Sequence, residues 1–255
     1  MRILITNDDG ISAPGIAVLE RIAKTLADDA DVWVVAPEAD KSGVSHALSM
    51  VDPIRVRKID DRHFGMTGTP TDCVIMAVRK LMPEAPDLIL SGVNSGHNIA
   101  QYVTYSGTVA GALEGTIMGI RSIAVSQHYN YEQSVRNVPW EVVEEHGPAL
   151  IAKLIKADMP PDTLLNVNFP SCSSNQVKGV RVTEQGRIDH SLTMTEHIDG
   201  RSKPYYWLSF FRGEERENER SDIQALHDGF ISVTPLKLDI TAHELSTQLR
   251  DLLSK

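Results

Sequence analysis

Two adjacent carboxylates, Asp8 and Asp9, stand just beyond the apolar run Ile3-Leu4-Ile5 and are followed by Gly10. Like charges side by side repel and raise each other's pKa unless a cation or hydrogen-bond donors hold them ionised. Hard divalent cations prefer oxygen ligands of this kind, so the spacing points to a metal site at the end of a strand. The same stretch, Asn7 to Gly10, is also common turn chemistry, with Asx side chains bonding nearby backbone and glycine taking positive φ. The rest of the chain must decide between turn and site.

The elements that would position these residues are legible in the pattern. Pro14 suits the first turn of a helix, and Ile16, Leu19, Ile22, Ala23 and Leu26 recur at helical spacing before the strand-like Val32 to Val35. That is a βαβ unit. Leu48, Met50, Ile54, Val56 and Ile59 predict a short hairpin interrupted at Asp52-Pro53. Thr69-Pro70-Thr71-Asp72 resembles a capping box and opens a helix running to about Leu81. Leu88-Ile89-Leu90 reads as a strand buried on both faces and opens into a polar loop, Ser91 to Asn98. Ser106-Gly107-Thr108 starts another helix, and strands near Ile123, Leu164 and Val180 alternate with a helix over Trp140 to Ile155. The rhythm predicts an α/β fold, a Rossmann-like three-layer sandwich with a mainly parallel sheet and a C-terminal extended arm.

Residues 1–186 form the expected α/β core, 187–228 an extended arm or hairpin, and 229–255 a strand and helix returning to the core or to a partner subunit. The arm carries Tyr205, Tyr206, Trp207, Phe210 and Phe211, which suit anchors on another subunit.

Composition narrows the function. With 255 residues, 42% hydrophobic and 23% charged, the chain has the balance of a globular domain with a full core. Its net charge of -9 disfavours binding to a nucleic-acid polymer, which needs a basic face to displace counterions. A small anion stays possible, because a bound cation reverses the local sign. Cys73 and Cys172 have neither pairing nor zinc-ligand spacing, which fits a reducing compartment. No secretory or membrane-spanning run is evident, so a cytoplasmic location and no membrane partner are expected.

In an open parallel sheet, ligands bind outside the carboxyl ends of the strands, near the point where strand order reverses. Three loops qualify there, carrying Asp8 and Asp9, Lys41-Ser42-Gly43, and Asn94 to Asn98. Their carboxylate, hydroxyl and amide oxygens suit magnesium or manganese. The helix start at Ser106-Gly107-Thr108 could bind phosphate oxygens, although simple N-capping accounts for the same residues. Lys and Ser or Thr are missing where a P-loop needs them, since Ile16-Ala17 follows Gly15. Neither a dinucleotide fingerprint nor an acyl-transfer nucleophile is present.

Together these motifs carry a resemblance. Asn7-Asp8-Asp9-Gly10 with Ala13-Pro14-Gly15, Ala36-Pro37 with Ser42-Gly43, Gly68 to Cys73, Ser91 to Gly96 and Tyr105 to Val109 resemble the SurE family of 5'-nucleotidases. Ser232 to Leu236 and Thr241-Ala242-His243 resemble its C-terminal end. The resemblance implies a metal-dependent phosphomonoesterase acting on nucleoside 5'-monophosphates, with 3'-monophosphates and short polyphosphate as further candidates. It places Asp8, Asp9, Ser42 and Asn94 at metal-ligand positions, with one Mg2+ or Mn2+ per subunit. Asn98, Ser106 and His243 fall at positions linked to phosphate binding or catalysis, and Gly43, Gly107 and Thr108 would shape the anion pocket. The family's subunits exchange C-terminal segments, which implies a homodimer or homotetramer.

Two other chemistries fit the same carboxylates. Asp8 could serve as a nucleophile forming a phospho-aspartate. A receiver-like signalling module also pairs acids after its first strand, but it needs a third Asp on a later strand, and the strand ending at Ser91-Gly92 has none at its end.

Overall fold

Alternation along the first strand decides the layers. Ile3 and Ile5 belong to one apolar cluster with Ile16, Leu19 and Val143, whereas Leu4 belongs to another with Trp33, Cys73 and Val74. Successive side chains of a strand point to opposite faces, so helices must cover both.

The computed structural model describes residues 1–132, 135–215 and 218–254, without the side chains of residues 132, 190–192 and 210–215. The elements begin with β1 (Arg2–Thr6), α1 (Pro14–Ala23), β2 (Asp31–Pro37), β3 (Val56–Lys58), β4 (His63–Met66) and α2 (Pro70–Met76). Next come β5 (Leu88–Ser95), α3 (Gly107–Ile117), β6 (Arg121–Gln127), β7 (Asn130–Glu132), β8 (Val135–Asn137) and α4 (Trp140–Leu154). The chain continues with β9 (Thr163–Phe169), β10 (Val180–Val182), β11 (Ile188–Ile198), β12 (Pro204–Glu215), α5 (Asp222–His227), β13 (Ile231–Lys237) and α6 (His243–Leu253).

A nine-stranded sheet with the order β10-β13-β9-β6-β5-β1-β2-β4-β3 forms the centre, antiparallel only at β13-β9 and β4-β3. From β1 the chain moves to β2 on one side, and from β5 to β6 on the other, so strand order reverses between β1 and β5. This is the α/β fold with a mainly parallel sheet that the sequence rhythm predicts. The apolar faces of α1 and α4 cover one side of the sheet, and α2 and α3 cover the other.

Helix α3 lies close to the sheet through glycines four residues apart. A Cβ on Gly107 would fall 2.8 Å from Asp8 Cβ, one on Gly111 2.8 Å from Ser91 Oγ, and one on Gly115 2.5 Å from Ile89 Cδ1. The apolar spacing read from sequence for this helix included Ile117, which is exposed.

The structure corrects the hairpin expected from Leu48. No strand lies between Pro37 and Val56, and Met50 and Val51 are exposed. Their alternation has no partner strand; instead Ser49 donates from N and Oγ to the Asp72 carboxylate at 3.1 and 2.6 Å, tying the segment to the start of α2. The helix expected to reach Leu81 does so, as α-helix to Met76 and as π-helix over Ala77–Leu81.

Strands β11 and β12 pair into an antiparallel hairpin with Tyr206, Trp207 and Leu208 exposed, while Phe210 and Phe211 and part of the charged run 214–220 lie outside the described side chains. Helix α5, inside the span read as an arm, packs Ile223 and Leu226 against Ile99 and Ile188. Helix α6 buries none of its residues, and Leu245, Leu249 and Leu252 form an exposed apolar stripe along it. No helix among the described residues is long and apolar enough to cross a membrane.

Candidate active site

The reversal point of the sheet opens into a cleft of about 1380 Å³, large enough for a nucleoside monophosphate by the usual scale of ligand pockets. Asp8, Asp9, Ser42, Gly43, Asn94, Asn98 and Ser106 all line it. Its floor starts as a turn, as the local chemistry of Asn7 to Gly10 requires. Asn7 Nδ2 donates to Gly10 O at 2.9 Å and Gly10 N donates to Asn7 Oδ1 at 3.1 Å, with Gly10 at a φ of 106°. Asn7 makes the turn, and the turn presents Asp8 and Asp9. The turn reading is realised by Asn7 and Gly10, and the turn sets Asp8 and Asp9 on the lining of the cleft.

Asp8 is buried, and its Oδ1 accepts a hydrogen bond of 2.5 Å from Thr108 Oγ1. Burial pushes its carboxyl up to about 6, opposed by that hydrogen bond and reinforced by the charge of Asp9. Asp9 accepts from Ser95 N at 2.9 Å, and burial raises its pKa as well. The Asp8 carbonyl accepts from Lys41 N at 2.8 Å, which brings in the loop after β2. On that loop Ser42 donates from N and Oγ to Asp40 Oδ1, at 2.7 and 2.6 Å. Asp40 is a third carboxylate of the cleft that the sequence reading passed over, although it lies only two residues before Ser42.

Strand β5 runs past Leu90, where the sequence reading ended it, to Ser95, with a register shift between Ser91 and Asn94. Asn94 thus sits on the strand's last turn, its Nδ2 donating to Gly96 O at 2.9 Å. That bond directs the amide nitrogen to the loop and leaves Oδ1 as the side-chain atom that could meet a ligand. Ser106 caps α3, its Oγ accepting from Val109 N at 3.0 Å, while its hydroxyl hydrogen stays available. Capping and lining of the cleft coexist in this residue. Thr108, expected in the anion pocket, spends its hydroxyl on Asp8.

Among the described residues no group of three or more His, Cys, Asp or Glu is arranged to hold a metal ion. A cation at this end of the cleft would have to be held by mixed oxygens, for which Asp8, Asp9, Ser42 Oγ and Asn94 Oδ1 are the candidates on its lining. The donor chemistry fits magnesium or manganese: all oxygen, two carboxylates, one of them buried beside a like charge that only a cation or donors would compensate.

Residues 3–191 match the family described as Survival protein SurE. The chain belongs to the SurE family. It is 60% identical over 249 residues to a protein of Brucella anthropi named 5'-nucleotidase SurE, covering 98% of this chain and 96% of that one. A 5'-nucleotidase SurE of Brucella canis is 59% identical over the same length. The crystal structure of the SurE protein from Aquifex aeolicus superposes with a TM-score of 0.80 at 37% identity, covering 99% of each chain.

Two expectations drawn from SurE family positions meet different surroundings. Asn98 is held by polar residues inside the sheet: its Nδ2 donates to Ser126 Oγ at 2.9 Å, its N to Asn168 Oδ1 at 2.8 Å, and its carbonyl accepts from Asn166 Nδ2 at 2.7 Å. Ser126, Asn166 and Asn168 lie on β6 and β9, and the one sequence signal of this role is a polar side chain inside an apolar run. His243 is not among the residues lining the cleft. It sits at the exposed start of α6, its Nε2 2.8 Å from Asp239 Oδ2.

Proposed function

We propose that this chain hydrolyses nucleoside 5'-monophosphates to nucleoside and phosphate in a metal-dependent reaction. The observation that carries the reading is a buried carboxylate, Asp8, beside Asp9 and bonded to the first turn of a helix whose N-terminus opens on the same cleft. Membership of a family whose relatives are named 5'-nucleotidases makes the chain an enzyme of the phosphatase class.

Asp8, Asp9, Ser42 and Asn94 hold the ion in this reading, after Ser42 gives up its bond to Asp40. A divalent ion held by these residues would supply the positive charge that makes a phosphomonoester attackable by water near neutral pH. The chain's own donors meet the other phosphoryl oxygens. The Ser106 hydroxyl and the first amides of α3 point partial positive charge into the cleft. Asn98 contributes the second hydrogen of its Nδ2, the first being committed to Ser126. Gly107 allows the approach, since any side chain there would overlap Asp8. Gly43, at a φ of 75°, turns the loop that carries Ser42.

The same proposal extends to assembly and to the proton of the leaving oxygen. A homodimer or homotetramer would cover the apolar stripe of α6, and His243 would protonate the leaving oxygen in the cleft of another copy. A cytoplasmic location accords with the two free cysteines. Phosphate release from a panel of 5'- and 3'-nucleotides and short polyphosphate, with magnesium, manganese or chelator, tests the reading; activity indifferent to chelator would refute metal dependence. Acid quenching with labelled substrate should trap no phosphoenzyme on Asp8.

A further inference from the structure

The hairpin of β7 and β8 leaves the carboxyl end of β6 and stands beside the cleft, and nothing in the proposed reaction uses it. Tyr131 lies opposite Arg136 in its register. Asn130 Nδ2 donates to Ser171 O at 2.5 Å, tying the hairpin's base to the loop after β9. The guanidinium carbon of Arg136 lies 4.0 Å from the centroid of the Tyr129 ring. A Cβ on Gly96 would come within 3.5 Å of Arg136 Nη2 and 3.3 Å of Tyr129 Cε1, so the stacked pair rests on the loop that carries Asn94 and Asn98.

Charge balance gives this placement its meaning. Arg136 is the only arginine or lysine among the described residues lining the cleft, which also holds Asp8, Asp9, Asp40 and Glu141. A divalent ion on Asp8 and Asp9 only neutralises those two carboxylates, so a phosphate dianion entering beside it still needs a counter-charge. Arg136 both stacks on the Tyr129 ring and interacts with its hydroxyl; stacking fixes the plane of a guanidinium, and its five donors leave others for a forked contact with phosphate oxygens.

We infer that Arg136 is a phosphate-binding residue of this cleft, meeting the non-bridging oxygens of the substrate from the hairpin side while Tyr129 holds its plane. The inference rests on the phosphomonoesterase reading for its substrate, but inorganic phosphate probes it directly. Phosphate binding is measured by calorimetry with manganese present, and steady-state constants are taken for AMP and for p-nitrophenyl phosphate, which has no nucleoside.

Arg136→Gln should weaken phosphate binding about tenfold and raise KM for both substrates by the same factor, with the melting temperature unchanged. Arg136→Lys, which keeps charge without the fork, should lose about threefold. Unchanged phosphate affinity in Arg136→Gln overturns the inference, as does a KM increase confined to AMP, which would assign the side chain to the nucleoside. Wild-type protein that binds phosphate through Arg136 yet hydrolyses no nucleotide would support the phosphate contact and refute the proposed reaction.

Discussion

Replacing Asp8 by Asn should remove the activity and stabilise the metal-free protein. Burial moves the Asp8 carboxyl from 3.8 to about 6, so the folded state holds its proton more tightly than the unfolded chain does. The sign follows from linkage: this carboxylate destabilises the fold fully above pH 6, and the cost fades as pH falls from 6 toward 3.8. The gap corresponds to about 3 kcal/mol at pH 8 and about half of that at pH 5. Asn keeps an oxygen for the Thr108 hydroxyl and carries no charge. In chelator at pH 8 the variant should melt roughly 6 to 12 °C above wild type, from about 2 to 4 °C per kcal/mol in a domain of this size. The advantage should shrink by about half at pH 5, and manganese should stabilise wild type but not the variant. Thermal denaturation across pH, with chelator or manganese, reads all of this. A variant no more stable than wild type at pH 8, or a gain independent of pH, would refute the assignment of a buried, uncompensated charge to Asp8.

The same carboxyl should set the acid limb of the rate profile. Turnover should fall below about pH 6 as Asp8 takes up a proton, and the midpoint should move lower with excess manganese, which competes for the carboxylate; a midpoint indifferent to metal concentration would count against this. Gly111→Ala would place a methyl 2.8 Å from Ser91 Oγ and 2.9 Å from Thr6 Cγ2, costing about 1 to 3 kcal/mol in denaturant titration and weakening phosphate binding together with stability. His243→Ala should lower kcat without changing KM or melting temperature. Subunits carrying His243→Ala mixed with subunits carrying Asp9→Asn should regain part of the lost activity, and a mixture as inactive as its components would place His243 outside the chemistry of a neighbouring copy.

Much of the site could be read from the chain because its residues cluster locally. Asp8 and Asp9 follow a strand within one turn, Asn94 to Asn98 follow another, and Ser106 caps a helix. Each is a short-range signal. What escaped notice depends on register and proximity that spacing does not carry. Asn166 and Asn168 alternate with apolar residues, as outward-facing positions do, yet β9 is covered on both faces and they hold Asn98. Arg136 sits in a short exposed hairpin whose importance comes from the loop beneath it. In the segment around Met50 the reverse happened: alternation was present but no partner strand was available. The stripe of α3 that meets the sheet is made of glycines, which a search for apolar periodicity passes over.

Those glycines divide the cleft into a rigid half and an adaptable one. With no side chains to act as spacers, α3 rests directly on Asp8, Ser91 and Ile89, and Ser106 can retreat from the carboxylates only if the interior opens. Room for a bulkier or differently shaped leaving group must therefore come from the facing rim, where the β7–β8 hairpin and the loop after β9 can lengthen or shorten without disturbing the interior. Libraries aimed at altering which nucleoside is accepted belong on that rim, whereas substitutions along the helix will trade folding for nothing.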